Sequence, residues 1–141
     1  MIPDKEMSQD TPIKLLIVDD EAGYVSVLAK RMAKRNIDTI TATNGNEAIH
    51  TLRSHSFDCA VLDLKMEYMD GIEVLKIFKK MDPTMPVIML TGHGSETAAH
   101  EGIRFGAFDY LTKPCDLDDL IDIICKACNR EAPKISVHDK H

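Results

Sequence analysis

Three carboxylates in a row, Asp19, Asp20 and Glu21, follow directly on the apolar run 15–18. Like charges held that close raise one another's cost of ionisation, so the run asks for a counter-charge, and a metal ion is one candidate. Three more polar residues stand in comparable places: Asp63 ends the apolar run that begins at Cys59, Thr91 follows 87–90, and Lys113 follows 109–111. Carboxylates brought together from separate loops make a hard-oxygen site for Mg2+, whose charge offsets their repulsion. Taken singly, each residue has an ordinary reading, since an Asp at a strand end is often a helix N-cap and a lone Lys is usually a solvated surface charge. Only a fold that gathers them at one edge turns them into a site.

Apolar runs rich in β-branched residues alternate with stretches of helical period, the signature of βα units around a parallel sheet. Strands are predicted at 14–18, 37–42, 59–63, 87–90 and 109–111, and helices at 24–35, 45–54, 72–81, 96–105 and 117–129. Asn44, three residues before Glu47, reads as a capping box, and Asp116 as the cap of the last helix. Five βα repeats give an α/β fold, a doubly wound five-stranded parallel sheet in flavodoxin-like order 2-1-3-4-5 with helices on both faces. Its ligand site lies beyond the carboxyl ends of the strands. Asp19, Asp20, Asp63, Thr91 and Lys113 all fall there. One domain spans 13–129, between a flexible polar leader, 1–12, and a flexible tail, 130–141, marked by Pro133.

Composition narrows the function classes. The 141 residues are 44% hydrophobic and 28% charged, globular values for one domain. No apolar run reaches the ~18 residues that span a bilayer, and the N-terminus has no signal-peptide core, so the expectation is a cytoplasmic protein that does not enter a membrane. A formal net charge of -6 argues against a nucleic-acid surface, which needs clustered Lys and Arg. Cys59, Cys115, Cys125 and Cys128 form no secreted disulfide framework and read as reduced thiols. The C-x-x-C at 125–128 lacks the second pair that a zinc site needs.

The segments "VDDE", "LDLKMEYMDG", "LTG" and "GAFDYLTKP", in this order and each at a strand end, resemble the receiver domain of bacterial two-component response regulators over about 14–129. The resemblance implies that Asp63 is the carboxylate that accepts a phosphoryl group from a histidine kinase or phosphotransfer protein, forming an acyl phosphate labile to water. It also implies Mg2+ held by Asp20, Asp63 and the backbone carbonyl of Lys65, with Asp19 acting through water. Lys113 and the Thr91 hydroxyl would bind further phosphoryl oxygens, aided by the Gly92 N–H. Lys113-Pro114 is expected to be cis. Tyr110 takes the switch-aromatic position, remodelling the surface of the fourth helix, fifth strand and fifth helix for a downstream protein effector. That surface would leave the chain a monomer or a weak dimer. On this reading the chain is a signalling protein rather than an enzyme, promoting only its own phosphorylation and dephosphorylation.

The pattern departs from the family where Glu67, followed by Tyr68, replaces a frequent Pro. Lys65 and His93 occupy positions that flank the path of the attacking water, and both are expected to lengthen the life of the phosphate. Few residues follow Asn129, which favours a single-domain regulator over the receiver of a longer transcription activator. An Mg2+-dependent aspartyl-phosphate phosphatase is the competing enzyme, but it needs a second Asp two residues after the nucleophile, where Lys65 stands. A flavodoxin-like cofactor binder needs a phosphate-cradling turn after the first strand, where "DDEAG" offers carboxylates.

Overall fold

The computed structural model describes residues 11–65, 70–92 and 96–130. Ten elements alternate among the described residues: β1 (Ile13–Val18), α1 (Ala22–Ala33), β2 (Ile37–Ala42), α2 (Gly45–Ser54), β3 (Cys59–Asp63), α3 (Gly71–Met81), β4 (Val87–Thr91), α4 (Glu96–Arg104), β5 (Asp109–Thr112) and α5 (Leu117–Ala127). The strands are all parallel, in the order β2-β1-β3-β4-β5. This is the doubly wound arrangement expected from the sequence.

Two buried clusters explain why the sheet must be covered on both faces. Leu16, Val18, Ala60, Leu62, Val87 and Met89 face Ala48 and Leu52 of α2 and Val74, Leu75 and Phe78 of α3. Their sequence neighbours Leu15, Ile17, Val61, Ile88 and Leu90 point the other way, onto Val25, Leu28 and Met32 of α1 and Leu120, Ile121 and Ile124 of α5. Alternate residues of one strand thus feed two cores, so the central strands read as unbroken apolar runs. Their ends, where the apolar run stops, are free to carry polar groups.

Local chemistry sets the element boundaries. The Asn44 side chain accepts the Glu47 N–H at 2.8 Å, as the capping box requires, whereas the Glu47 carboxylate reaches one residue further back, to the Thr43 N–H. Asp70 caps α3 by accepting the Ile72 N–H at 2.9 Å. Asp116 precedes α5 as expected, but its side chain makes no capping bond; only its backbone carbonyl accepts the Leu120 N–H. The first and last helices stop two residues earlier than periodicity suggests. In each case an Asn in the left-handed region, Asn36 at φ 64° and Asn129 at φ 58°, turns the chain out of the helix. The fourth and fifth strands extend one residue further, pairing Thr91 with Thr112.

Gly71 shows how closely the start of α3 approaches the end of β3. A Cβ there would lie 2.5 Å from the Leu64 Cα and 2.8 Å from its carbonyl oxygen, and both are backbone atoms that cannot step aside. Gly71→Ala is therefore expected to destabilise the fold by about 1–3 kcal/mol, as forced overpacking does. A urea unfolding midpoint equal to the parent's would show that the contact between Gly71 and Leu64 relaxes without cost.

Candidate functional site

The carboxyl ends of β1, β3, β4 and β5 bring the candidate residues to one edge. Asp19 follows β1 and is fully buried, while the adjacent Asp20 is exposed. Asp63, the last residue of β3, is 5% exposed, and Thr91, the last residue of β4, is 1% exposed. Oxygens of Asp19, Asp20 and Asp63 all lie within 4.8 Å of one another. That spread is close to the ~4 Å between opposite ligands of Mg2+ at 2.0–2.1 Å, so a small inward movement suits a hard octahedral ion. An all-oxygen, all-carboxylate donor set also matches the chemistry of Mg2+ rather than a softer metal.

Lys113 supplies the positive charge. Its Nζ lies 2.9 Å from Asp19 Oδ2, 3.0 Å from Glu21 Oε1 and 3.7 Å from Asp63 Oδ2. The strand β5 delivers this residue, its N–H donates to the Thr91 carbonyl at 2.6 Å, and the Lys113-Pro114 bond is cis. The ammonium also stands 4.8 Å from the centre of the Tyr24 ring, a cation–π contact. Burial works against the charge of Lys113, but the hydrogen bonds to Asp19 and Glu21 and the field of Asp63 outweigh it and raise its pKa. It stays an ammonium at any physiological pH.

Asp63 feels the opposite balance. Burial pushes its carboxyl above the ordinary carboxylate range; the Lys65 N–H, donating to Oδ1 at 3.1 Å, pulls it down, Asp19 pushes it up, and Lys113 pulls it down again. The site is thus short of positive charge around Asp63, which is the state a divalent cation relieves. Asp19 has both oxygens engaged already, Oδ1 by the Glu21 N–H and Oδ2 by Lys113.

Thr91 points its hydroxyl at the Leu111 carbonyl, a long contact of 3.4 Å. Tyr110 is half-buried against the α2/α3 core and meets His100 of α4 edge-on, ring centres 6.1 Å apart. Lys65 is exposed, with its backbone bridged to Asp70. His93, Glu67 and Tyr68 lie outside the described residues, as do 1–10 of the leader and 131–141 of the tail. Sequence reasoning gave no role to Glu21 or Tyr24, the two other groups that hold Lys113. The signal for Glu21 was its place in the acidic run; a tyrosine one turn into a helix carries none.

A family profile described as the response regulator receiver domain matches residues 15–125. The chain belongs to that family. Curated relatives of this receiver include the transcriptional regulatory protein GlrR of Escherichia coli, 38% identical over 86% of this chain and 28% of that protein. The DNA-binding transcriptional regulator NtrC of Salmonella typhimurium is 37% identical over 79% of this chain and 24% of that protein. The receiver therefore spans about a quarter of the length of these relatives. Among solved structures, the receiver domain of NtrX from Brucella abortus is similar at TM-score 0.78 and 31% identity, covering 82% of this chain and 98% of that one. A response regulator receiver domain protein from Clostridium thermocellum reaches TM-score 0.79 at 34% identity, over 83% and 94%. Phosphorylation and Mg2+ binding are typical of receivers. Among the described residues, no helix is long and apolar enough to cross a membrane.

Proposed function

We propose that Asp63 is the phosphoryl acceptor of this receiver and that phosphorylation, not turnover of a small substrate, is its activity. The observation that carries the reading is the cluster itself: a buried strand-end carboxylate with Lys113 at 3.7 Å and two neighbouring carboxylates in metal-binding range. Asp63 Oδ2, on the Lys113 side, attacks the phosphorus as the bond from phosphorus to the donor's histidine nitrogen breaks and that imidazole leaves with a proton from solvent, while Oδ1 keeps the Lys65 N–H. Asp20, Asp63 and the Lys65 carbonyl would hold Mg2+, with Asp19 acting through water. When bound, the ion neutralises phosphoryl oxygens as the bond to phosphorus forms. The Lys113 ammonium takes a second oxygen, leaving Glu21 to do so. Thr91 is free to turn its hydroxyl from the long Leu111 contact to a third oxygen, since a bond of 3.4 Å costs little to break.

A phosphate that draws Thr91 inward changes the space beside Tyr110, whose ring faces α4 across His100. The surface of α4, β5 and α5 then differs between the two states, and a partner that prefers one of them reads the signal. The donor is a histidine kinase or phosphotransfer protein, the reader a downstream protein effector, and the setting the cytoplasm. Lys65 and His93 shield the phosphate from water. A receiver acting within a longer transcription activator is the second reading, favoured by the names of GlrR and NtrC and by the quarter of their length that this chain matches.

The test is to incubate the protein with Mg2+ and acetyl phosphate and weigh it. One acid-labile phosphoryl group per chain is expected, and none when a chelator removes the metal. Continuous release of inorganic phosphate from unrelated phosphomonoesters, with no mass gained, would replace this reading with the phosphatase.

A further inference from the structure

Three of the four cysteines lie together at the end of the sheet opposite the carboxylates. Cys59 opens β3, Cys125 is on the last turn of α5, and Cys128 is its C-cap. Cys59 and Asp63 bound the same strand, so the two ends are separated by about 13 Å at ~3.3 Å per residue. Cys128 Sγ stands 3.7 Å from the carbonyl oxygen of Asp58, the residue bonded to the nitrogen of Cys59. Cys59 Sγ donates to the Ala60 carbonyl at 3.7 Å, and both sulfurs belong to the cluster between the sheet and α5, where the two thiols interact. The α5 terminus holds Cys128 in place: Asn129 turns into the left-handed region, its N–H reaches the Lys126 carbonyl at 3.2 Å, and the Arg130 N–H reaches that of Cys125 at 2.8 Å.

We propose that Cys59 and Cys128 form a peroxide-driven, reversible disulfide that pins α5 to β3. Their roles differ because their surroundings do. Cys59 is completely buried, whereas Cys128 is partly exposed at the domain surface. The interaction between the two thiols lowers the pKa of Cys128, against burial and the nearby Asp58, with help from Arg130, and raises that of Cys59. Cys128 is therefore the thiol that ionises and meets the oxidant, and Cys59 the one that resolves it. The Cys128 thiolate attacks one oxygen of a hydroperoxide. The O–O bond breaks, and the departing oxygen takes a proton and leaves as water or an alcohol. Cys59 sulfur then attacks the sulfur of the Cys128 sulfenic acid. The S–S bond forms, the S–O bond breaks, and hydroxide leaves with the Cys59 proton as water. Two thiols are oxidised and one hydroperoxide is reduced.

Cys125 is the competing partner for Cys128, but it is buried in the core beneath α5 with Leu120, Ile121 and Ile124. The sequence separates the possibilities, because trypsin cleaves after Arg53, Lys65, Arg104, Lys126 and Arg130 and skips Lys113-Pro114. Peptide 54–65 then holds Cys59, peptide 105–126 holds Cys115 and Cys125, and peptide 127–130 holds Cys128. The experiment treats the full chain with hydrogen peroxide, blocks remaining thiols with N-ethylmaleimide, and maps the digest. Peptides 54–65 and 127–130 are expected joined, with the loss of two hydrogens, and parted again by dithiothreitol. In Cys59→Ala, Cys128 is expected to be labelled by dimedone, which captures sulfenic acids. In Cys128→Ser, Cys59 is expected to stay reduced. A 105–126 to 127–130 link, a disulfide between two chains, or Cys59 oxidised in Cys128→Ser would each overturn the proposal, as would irreversible oxidation of Cys128 alone in the parent.

Discussion

Asp63→Asn is expected to take phosphorylation from one group per chain to none. The amide is nearly the shape of the carboxylate, so it keeps β3 and its place beside Lys113, but its oxygen is no nucleophile towards phosphorus. A residual rate a thousandth of the parent's would already mean about 4 kcal/mol of lost transition-state stabilisation. Mass measurement after acetyl phosphate and Mg2+ decides it, and an equal mass gain in the variant would move the acceptor elsewhere. The same substitution is expected to stabilise the metal-free protein at neutral pH. Burial, with the field of Asp19, raises the folded pKa of Asp63 above the unfolded carboxylate value of about 4. The folded state then binds its proton more readily than the unfolded state does. The penalty for the ionised form is absent below the unfolded pKa and grows as pH rises through the folded one. The variant, having no charge to bury, should melt above the parent at pH 7 in chelator, with the gap closing as the pH approaches 4. Mg2+ should favour the parent, which alone keeps the full carboxylate set.

The fold was legible because two physical periodicities coincide with it. The central strands β1, β3 and β4 feed both cores through the apolar runs 15–18, 59–62 and 87–90, and each run stops where a polar residue faces the ligand edge. Asp19, Asp63, Thr91 and Lys113 could be placed from that rule alone, because a strand end fixes position to within a residue. Helix ends were less legible. The turn at Asn36 and Asn129 depends on a left-handed backbone that the composition of the segment does not announce, and Asp116 precedes a helix without capping it. The charge balance within the site was not legible either. Whether Lys113 pairs with Asp19, Glu21 or Asp63 depends on distances of an ångström or less, and sequence spacing carries no information at that scale. Tyr24 entered the site only because α1 begins close beside the loop that carries Glu21. The cysteine pair was hidden for a related reason: residues 59 and 128 meet only when α5 packs back across the sheet, whereas spacing alone pairs Cys128 with Cys125.

Lys113→Ala tests that charge balance directly, because it should move two properties in opposite directions. Removing the ammonium leaves Asp19, which is fully buried, with only the Glu21 N–H to answer its charge. Breaking a buried pair costs ~3–5 kcal/mol, and the 20% exposure of the Lys113 side chain places this one near the lower end, about 3 kcal/mol in metal-free buffer. Mg2+ should restore most of that loss, since a ligand that binds only the folded state stabilises it by mass action. With no competing cation among the carboxylates, Mg2+ should also bind about tenfold tighter than in the parent, a difference of ~1.4 kcal/mol. Phosphorylation should nevertheless slow, by roughly a hundredfold, because no ammonium remains to meet a phosphoryl oxygen. Calorimetric titration of Mg2+, melting with and without it, and the rate of mass gain from acetyl phosphate measure the three effects on one sample. A variant that binds Mg2+ as the parent does and melts at the parent's temperature in chelator would mean that Lys113 neutralises nothing in the resting site. Its bonds to Asp19 and Glu21 would then be surface pairing, and the state of Asp63 would be set by burial, the Lys65 N–H and Asp19 without help from the ammonium.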